Sequence, residues 1–254
     1  MFILRKLCLG AVGAAVGACL ATSAAATTTN YRAVLKDINN FGASGQVDLR
    51  LNDVTNTLFV RVQAAGLDPN VPHVQHIHGL KNPDGTNGNS ITPTAAQDTD
   101  GDGFIELGEG AATYGPIILP LTDINQPGLS GFPTAPGGMI DFSFTYDLLS
   151  SAIYAGSFGI VDLLNLKDRE IVIHGAFTNF APINELPGLG GGIDQDVFGN
   201  PIPAARNYNA ALPVLAGTIS PVPLPAAGWL LLTGLGGLAA MSRRRKSRTS
   251  SALV

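Results

Sequence analysis

The most constraining feature of this chain is a two-residue hydrophobic period. Between Tyr31 and Ile219 apolar side chains alternate with polar ones in short runs bounded by Gly, Asn, Asp and Pro. Alternation of this kind puts one set of side chains on each face of an extended strand, whereas a helix would repeat at 3.6. The runs fall at residues 31–38, 46–51, 57–62, 73–78, 117–121, 140–146, 170–177 and 213–219. Residues 52–56 form a turn-rich link, which predicts a hairpin between the second and third runs. One helical turn is expected within residues 150–162, and no long helical period is present. About eight short strands without a long helix predict an all-β fold, a two-sheet Greek-key β-sandwich. Two long connections interrupt the pattern, residues 82–112 and residues 179–207 with Gly190, Gly191 and Gly192. Loops of that length are functional or mobile.

Both ends read as addresses rather than as parts of the fold. Residues 1–26 run from Arg5 and Lys6 through an apolar stretch to Ser23, Ala24, Ala25 and Ala26, the three-part pattern of a cleavable secretory signal peptide. Val16, Gly17 and Ala18 ahead of Cys19 offer a second reading, a lipoprotein signal. At the other end, residues 221–254 contain Val222, Pro223, Leu224, Pro225 and Ala226, then an apolar helix at 226–241, then a basic tail at 243–248. An apolar run just short of the roughly 20 residues of a comfortable span, followed by Arg and Lys, would hold the chain in the inner membrane with its basic end cytoplasmic and its domain outward. An ordinary membrane anchor accounts for the apolar and basic parts but not for the proline box. The three elements in this order resemble a PEP-CTERM sorting segment of the VPLPA type. That resemblance implies an exosortase-type processing enzyme as partner, transient anchoring in the membrane through this segment alone, and delivery to the envelope surface or the extracellular space.

Residues 27–220 then remain as one domain. They hold all 19 acidic side chains but only 8 of the 15 Lys and Arg, a net charge of −11. A surface of that sign disfavours nucleic acid and anionic headgroups and suits divalent cations. Both cysteines, Cys8 and Cys19, lie in the signal segment, so the domain has neither disulfide nor thiolate ligand to draw on.

The sharpest motif is DTDGDGFIELGE, residues 98–109. It matches the twelve-residue calcium loop, with Asp98, Asp100 and Asp102 as carboxylates at the first, third and fifth positions and Gly103 at the turn. Phe104 would ligate through its carbonyl, Glu106 through water, and Glu109 bidentately. Five carboxylates so close repel one another unless a cation neutralises them. The flanks, with Thr92, Pro93 and Thr94 before and Gly108, Gly110 and Gly115 after, are poor helix formers, so the expectation is a lone calcium loop set into a β domain. Its affinity would be on the order of 0.1–1 mM, and its role that of a structural clip. A solvated acidic turn is the plain alternative.

The four histidines form a second constellation. His76 and His78 project from one face of a strand, and His174 on a later strand completes a ligand set for copper or zinc if the two strands are neighbours. His73 has the opposite parity. The alternative role is hydrogen bonding at the sandwich edge. Ser44, Ser90 and Ser157 lack the context of a hydrolase nucleophile, and the Gly-rich loop lacks the Lys and Ser or Thr of a phosphate loop.

The run YRAVLKDINNFGASGQVDLRLNDVTNTLFVRVQAAGL followed by HIHG, with the later EIVIHG and LPVLAGTI, resembles a CHRD (chordin-type) domain. The resemblance implies a β-sandwich related in plan to copper-zinc superoxide dismutase and no settled activity. His76, His78 and His174 are similar in placement to the HxH pair and late-strand histidine that hold copper in those enzymes. The His-rich zinc loop, the cysteines and a C-terminal Arg are missing, so dismutase activity is not expected. The reading is an exported, non-enzymatic surface or matrix module stabilised by calcium, with extracellular polysaccharide or matrix as its surroundings. The alternative is a histidine-based copper or zinc protein or metalloenzyme.

Overall fold

The computed structural model describes residues 28–178 and 207–223. The two-residue period is realised as eight strands: β1 (Thr28–Asp37), β2 (Ser44–Asn52), β3 (Thr57–Ala65), β4 (Gln75–His78), β5 (Ile117–Pro120), β6 (Met139–Asp147), β7 (Glu170–Thr178) and β8 (Asn207–Pro221). They pair antiparallel as one curled sheet in the order β5-β4-β7-β8-β1-β2-β3-β6. β6 returns beside β3, β7 beside β4 and β8 beside β1, the non-local pairings of a Greek-key plan. The expected all-β sandwich is the observed fold.

Register follows from which parity is apolar, because a one-residue slip would turn every core side chain outward. Val47, Leu49 and Leu51 of β2 lie opposite Val62, Val60 and Leu58 of β3, and all six are buried. The β2–β3 hairpin forms as expected. The Asn52 side chain accepts the backbone N–H groups of Val54 and Thr55, and Asn56 takes the left-handed turn at φ +51. Ile77, Ile171, Ile173 and Leu215 face this set from the other layer in a single core. Each fully buried side chain of this size contributes about 1.5–3 kcal/mol. β8 ties the layers together, pairing on one edge with β7 from Asn207 to Thr218 and on the other with β1 from Leu215 to Pro221.

β4 is buried throughout and β7 nearly so, although a solvent-facing sheet would bury alternate residues only. The connection between β4 and β5 supplies the cover. It contains a helical turn at Ala95–Gln97 and a helix, α1 (Leu107–Tyr114). The glycine-rich exit of the acidic loop was expected to be a poor helix former, and α1 corrects that expectation. Glu106 and Glu109 form a capping box at its start, Gly115 ends it at φ +82, and a Cβ at Gly110 would strike the Tyr114 ring that packs over it. Tyr114 then closes a small second apolar cluster with Val172 and Ala216 on the outer face of the sheet. The expected turn within residues 150–162 appears as a turn at Ser151–Ile153 and a short α2 (Ile160–Leu163).

Among the described residues no helix is long and apolar enough to cross a membrane. The signal segment, most of the Gly-rich loop, and Leu224, Pro225 and Ala226 with the apolar stretch lie outside the described residues. Val222 and Pro223 are described. Val222 donates its N–H to the Asn30 carbonyl (2.8 Å), so β-structure runs up to the start of the proline box.

Candidate metal centre

His76 and His78 stand two apart on β4, with Ile77 between them turned into the core. β7 is the neighbour of β4, and its own parity brings His174 to the same outer face beside them. A β-bulge breaks the register on either side of His174, and Gly175 follows at φ +110. Bulges of this kind re-aim a side chain. A Cβ on Gly175 would overlap the Tyr208 hydroxyl. One nitrogen from each of the three rings lies within 4.8 Å of the others, and all three residues are buried. The sequence pattern asked for these three residues, and the fold brings them together.

Protonation is set by backbone carbonyls. His78 Nδ1 lies 2.8 Å from the Gly115 carbonyl oxygen and His174 Nδ1 lies 2.8 Å from that of Ala211. A carbonyl only accepts, so each Nδ1 carries the proton and each Nε2 presents a lone pair. Both Nε2 atoms, and His76 Nδ1, are buried with no hydrogen-bond partner. Burial pulls His78 down to about 3, aided by His174 and opposed by the Gly115 bond. Burial pulls His174 to about 4 against its bond to Ala211. His76 is driven well below its ordinary value by burial and then by the charges of His174 and His78. All three rings are therefore neutral near pH 7. Unpartnered polar atoms in a dry site each cost on the order of 1–3 kcal/mol, and a cation held by one nitrogen of each ring would offset that cost. Hydrogen bonding at the sandwich edge accounts for the two Nδ1 atoms and leaves these three nitrogens unexplained.

His73 stays out of the cluster. It precedes β4 and is not among the rings whose nitrogens converge; its own nitrogens face the carbonyls of Asp68 at 2.8 Å and His174 at 3.2 Å, and the neutral ring donates to one of them. Three side chains that sequence reasoning did not single out shape the site. Tyr114 lies over His78 with ring centres 4.6 Å apart, and Phe132 meets His76 edge-on at 5.7 Å. Glu170 lies on the same parity of β7, fully buried, with one oxygen near the Thr92 hydroxyl and the other unpartnered. A charge at the outer-face parity of 170, 172 and 174, shared with His174, was a usable signal for Glu170, and nothing local marks Phe132.

The acidic loop bears two overlapping groups whose ligand atoms lie within 4.8 Å of one another: Asp98, Asp100 and Glu109, and Asp100, Asp102 and Glu106. Its carboxylates already organise the turn. Asp98 accepts from the N–H groups of Gly101 and Gly103, Asp102 from Phe104, and Glu109 from Thr99 and Glu106. Desolvation, then Glu109 and Asp102, push the Glu106 carboxyl up to about 8. The loop is pinned to the domain by Asn39, whose amide accepts from the Ile105 N–H (2.7 Å) and donates to the carbonyls of Ile105 and Pro213. Phe104 packs its ring against the core beside Phe41. Of the serines, Ser90 is a structural clip, accepting from the Leu80 N–H and donating to the Tyr114 carbonyl.

The family model for the CHRD domain matches residues 23–149, half of the chain. That span holds β1 to β6, with His76, His78 and the acidic loop, and ends before His174. No curated protein matches the chain.

Proposed function

The chain belongs to the CHRD domain family, and on that premise we propose that it is an extracellular, non-enzymatic module that holds one transition-metal ion, copper or zinc, between His76, His78 and His174. CHRD domains are typical of secreted or extracellular proteins. The observation that carries the metal assignment is the convergence of one nitrogen from each of three buried rings, every ring having a partnerless nitrogen and two having their tautomer fixed by a backbone carbonyl. Three neutral imidazoles are a borderline-soft donor set that suits zinc or copper and not calcium or magnesium. His76, His78 and His174 would bind and orient the ion, and Tyr114 and Phe132 would keep water from it.

The acidic loop supports a separate structural role for calcium. Asp98, Asp100, Asp102, the Phe104 carbonyl, Glu106 and Glu109 would tie it down where Asn39 fastens it to the sandwich. The signal segment and the VPLPA-type tail support export, exosortase processing and residence at the envelope surface or in a polysaccharide-rich matrix.

Elemental analysis of the purified full chain, with zinc and copper(II) titrations, tests the metal reading. One equivalent is expected, lost in His174→Ala with the fold retained. A wild-type chain that takes up neither ion would overturn it.

A further inference from the structure

We propose that metal enters and leaves the histidine cage past Phe132, with His76 as the ligand that swings and His78 and His174 as the fixed pair; this rests on the reading of the cage as a metal site. A metal-ligating histidine is normally oriented by a hydrogen bond from its other ring nitrogen. His78 and His174 each have that bond, to Gly115 and Ala211. The His76 ring makes no hydrogen bond to any described residue, and its aromatic contacts among them are edge-on, with Phe132, His78 and His174 at ring-centre distances of 5.7, 5.5 and 5.3 Å. It is also the least buried of the three, 8% exposed against 1% for each of the others.

The remaining walls are fixed. Tyr114 is fully buried over His78, and its carbonyl is held by the Ser90 hydroxyl at 3.0 Å. His174 is backed by β8. Phe132, by contrast, is half-buried at the foot of a surface loop that exposes Ile124 and Leu129. The backbone around it is pinned. Asp123 donates to the Gly131 carbonyl at 2.9 Å, Phe132 to that of Leu129 at 3.1 Å, and His73 to that of Pro133 at 2.9 Å. The opening motion is therefore rotation of the Phe132 ring, a side-chain event far quicker than loop rearrangement. Once the ring turns aside, the His76 imidazole rotates with no hydrogen bond to break. Its nitrogen releases the ion, an incoming water or chelator atom takes the vacated position, and His78 and His174 hold the ion until it transfers.

The test loads the full chain with zinc(II) and follows release to excess chromophoric chelator by stopped flow. Phe132→Ala is expected to speed release by about tenfold or more. Uptake should quicken in parallel, with the one-to-one stoichiometry kept. Phe132→Trp should slow both directions, and Leu129→Ala, on the same loop, should leave them at the wild-type value. Phe132→Trp and Phe132→Leu carry the test if the alanine variant fails to fold. Variants at Phe132 that hold one zinc and exchange it at the wild-type rate would refute the gate and leave the metal site standing. A wild-type chain that binds no zinc would remove both.

Discussion

Replacing Glu170 by Gln isolates one buried ionisation. Glu170 is fully buried on β7, its hydrogen bonds go to hydroxyl groups, and no basic side chain makes an ion pair with it among the described residues. Burial raises its carboxyl from 4.5 to about 7, against smaller lowering effects of Thr92, Thr218 and Lys36. The folded state thus binds this proton more tightly than the unfolded chain does. Its contribution is fully present below about pH 4.5, falls as pH rises, and is gone above about pH 7. The difference of about 2.5 pH units corresponds to about 3 kcal/mol. Gln keeps the carbonyl acceptor for Thr92 and cannot ionise. The unfolding free energy of wild type, less that of Glu170→Gln, should fall by about 3 kcal/mol between pH 4.5 and pH 8. Urea denaturation at five or six pH values measures it, since effects of the other titrating groups cancel in the difference. Parallel profiles would refute the reasoning, and so would a variant that loses ground as pH rises.

Two further outcomes are expected. Gly175→Ala forces a side chain into φ +110 and against the Tyr208 hydroxyl; it should cost about 2–4 kcal/mol in denaturation and weaken zinc binding, because the bulge that aims His174 is displaced. Calcium at about ten times its dissociation constant should stabilise the chain by about 1.4 kcal/mol, read as a rise in Tm, and Asp98→Ala should abolish the rise without altering zinc uptake.

The strands were legible because their signal is local. Val47, Leu49 and Leu51 declare their face by spacing alone, and the 52–56 link declares its turn through Asn52 and Asn56. The shared face of His76 and His78 is likewise a matter of counting by two. What brings His174 to them is the pairing of β4 with β7, strands separated by a long connection and by β5 and β6. No local preference encodes that neighbour relation, and it arises from the closure of the whole sheet. α1 was hidden for a different reason. Gly108, Gly110 and Gly115 disfavour a helix taken by itself, but Gly110 is the position where Tyr114 must pack and Gly115 is the position where the helix must stop. Tertiary packing therefore reverses a weak local preference.

The placement of the cage explains why the β4–β5 connection is so long. Histidines pointing into the sandwich would share space with Ile77, Ile171 and Ile173, where three polar rings would divide the core. On the outer face they need a cover of their own to be dry. The connection supplies it through Tyr114 over His78, the Gly115 carbonyl that fixes the His78 tautomer, and Ser90, which holds the Tyr114 carbonyl in place. The acidic loop enters directly into the helix that carries Tyr114, and Asn39, just past the end of β1, fastens that loop to the middle of β8 at Pro213. An insertion that looks from sequence like an interruption of the β pattern is thus the part of the chain that makes one face of the sheet an interior. Any change that melts α1 exposes the His78 ring and releases its Nδ1 proton from Gly115, so the integrity of the cage is tied to the insertion as firmly as to the strands that bear the histidines.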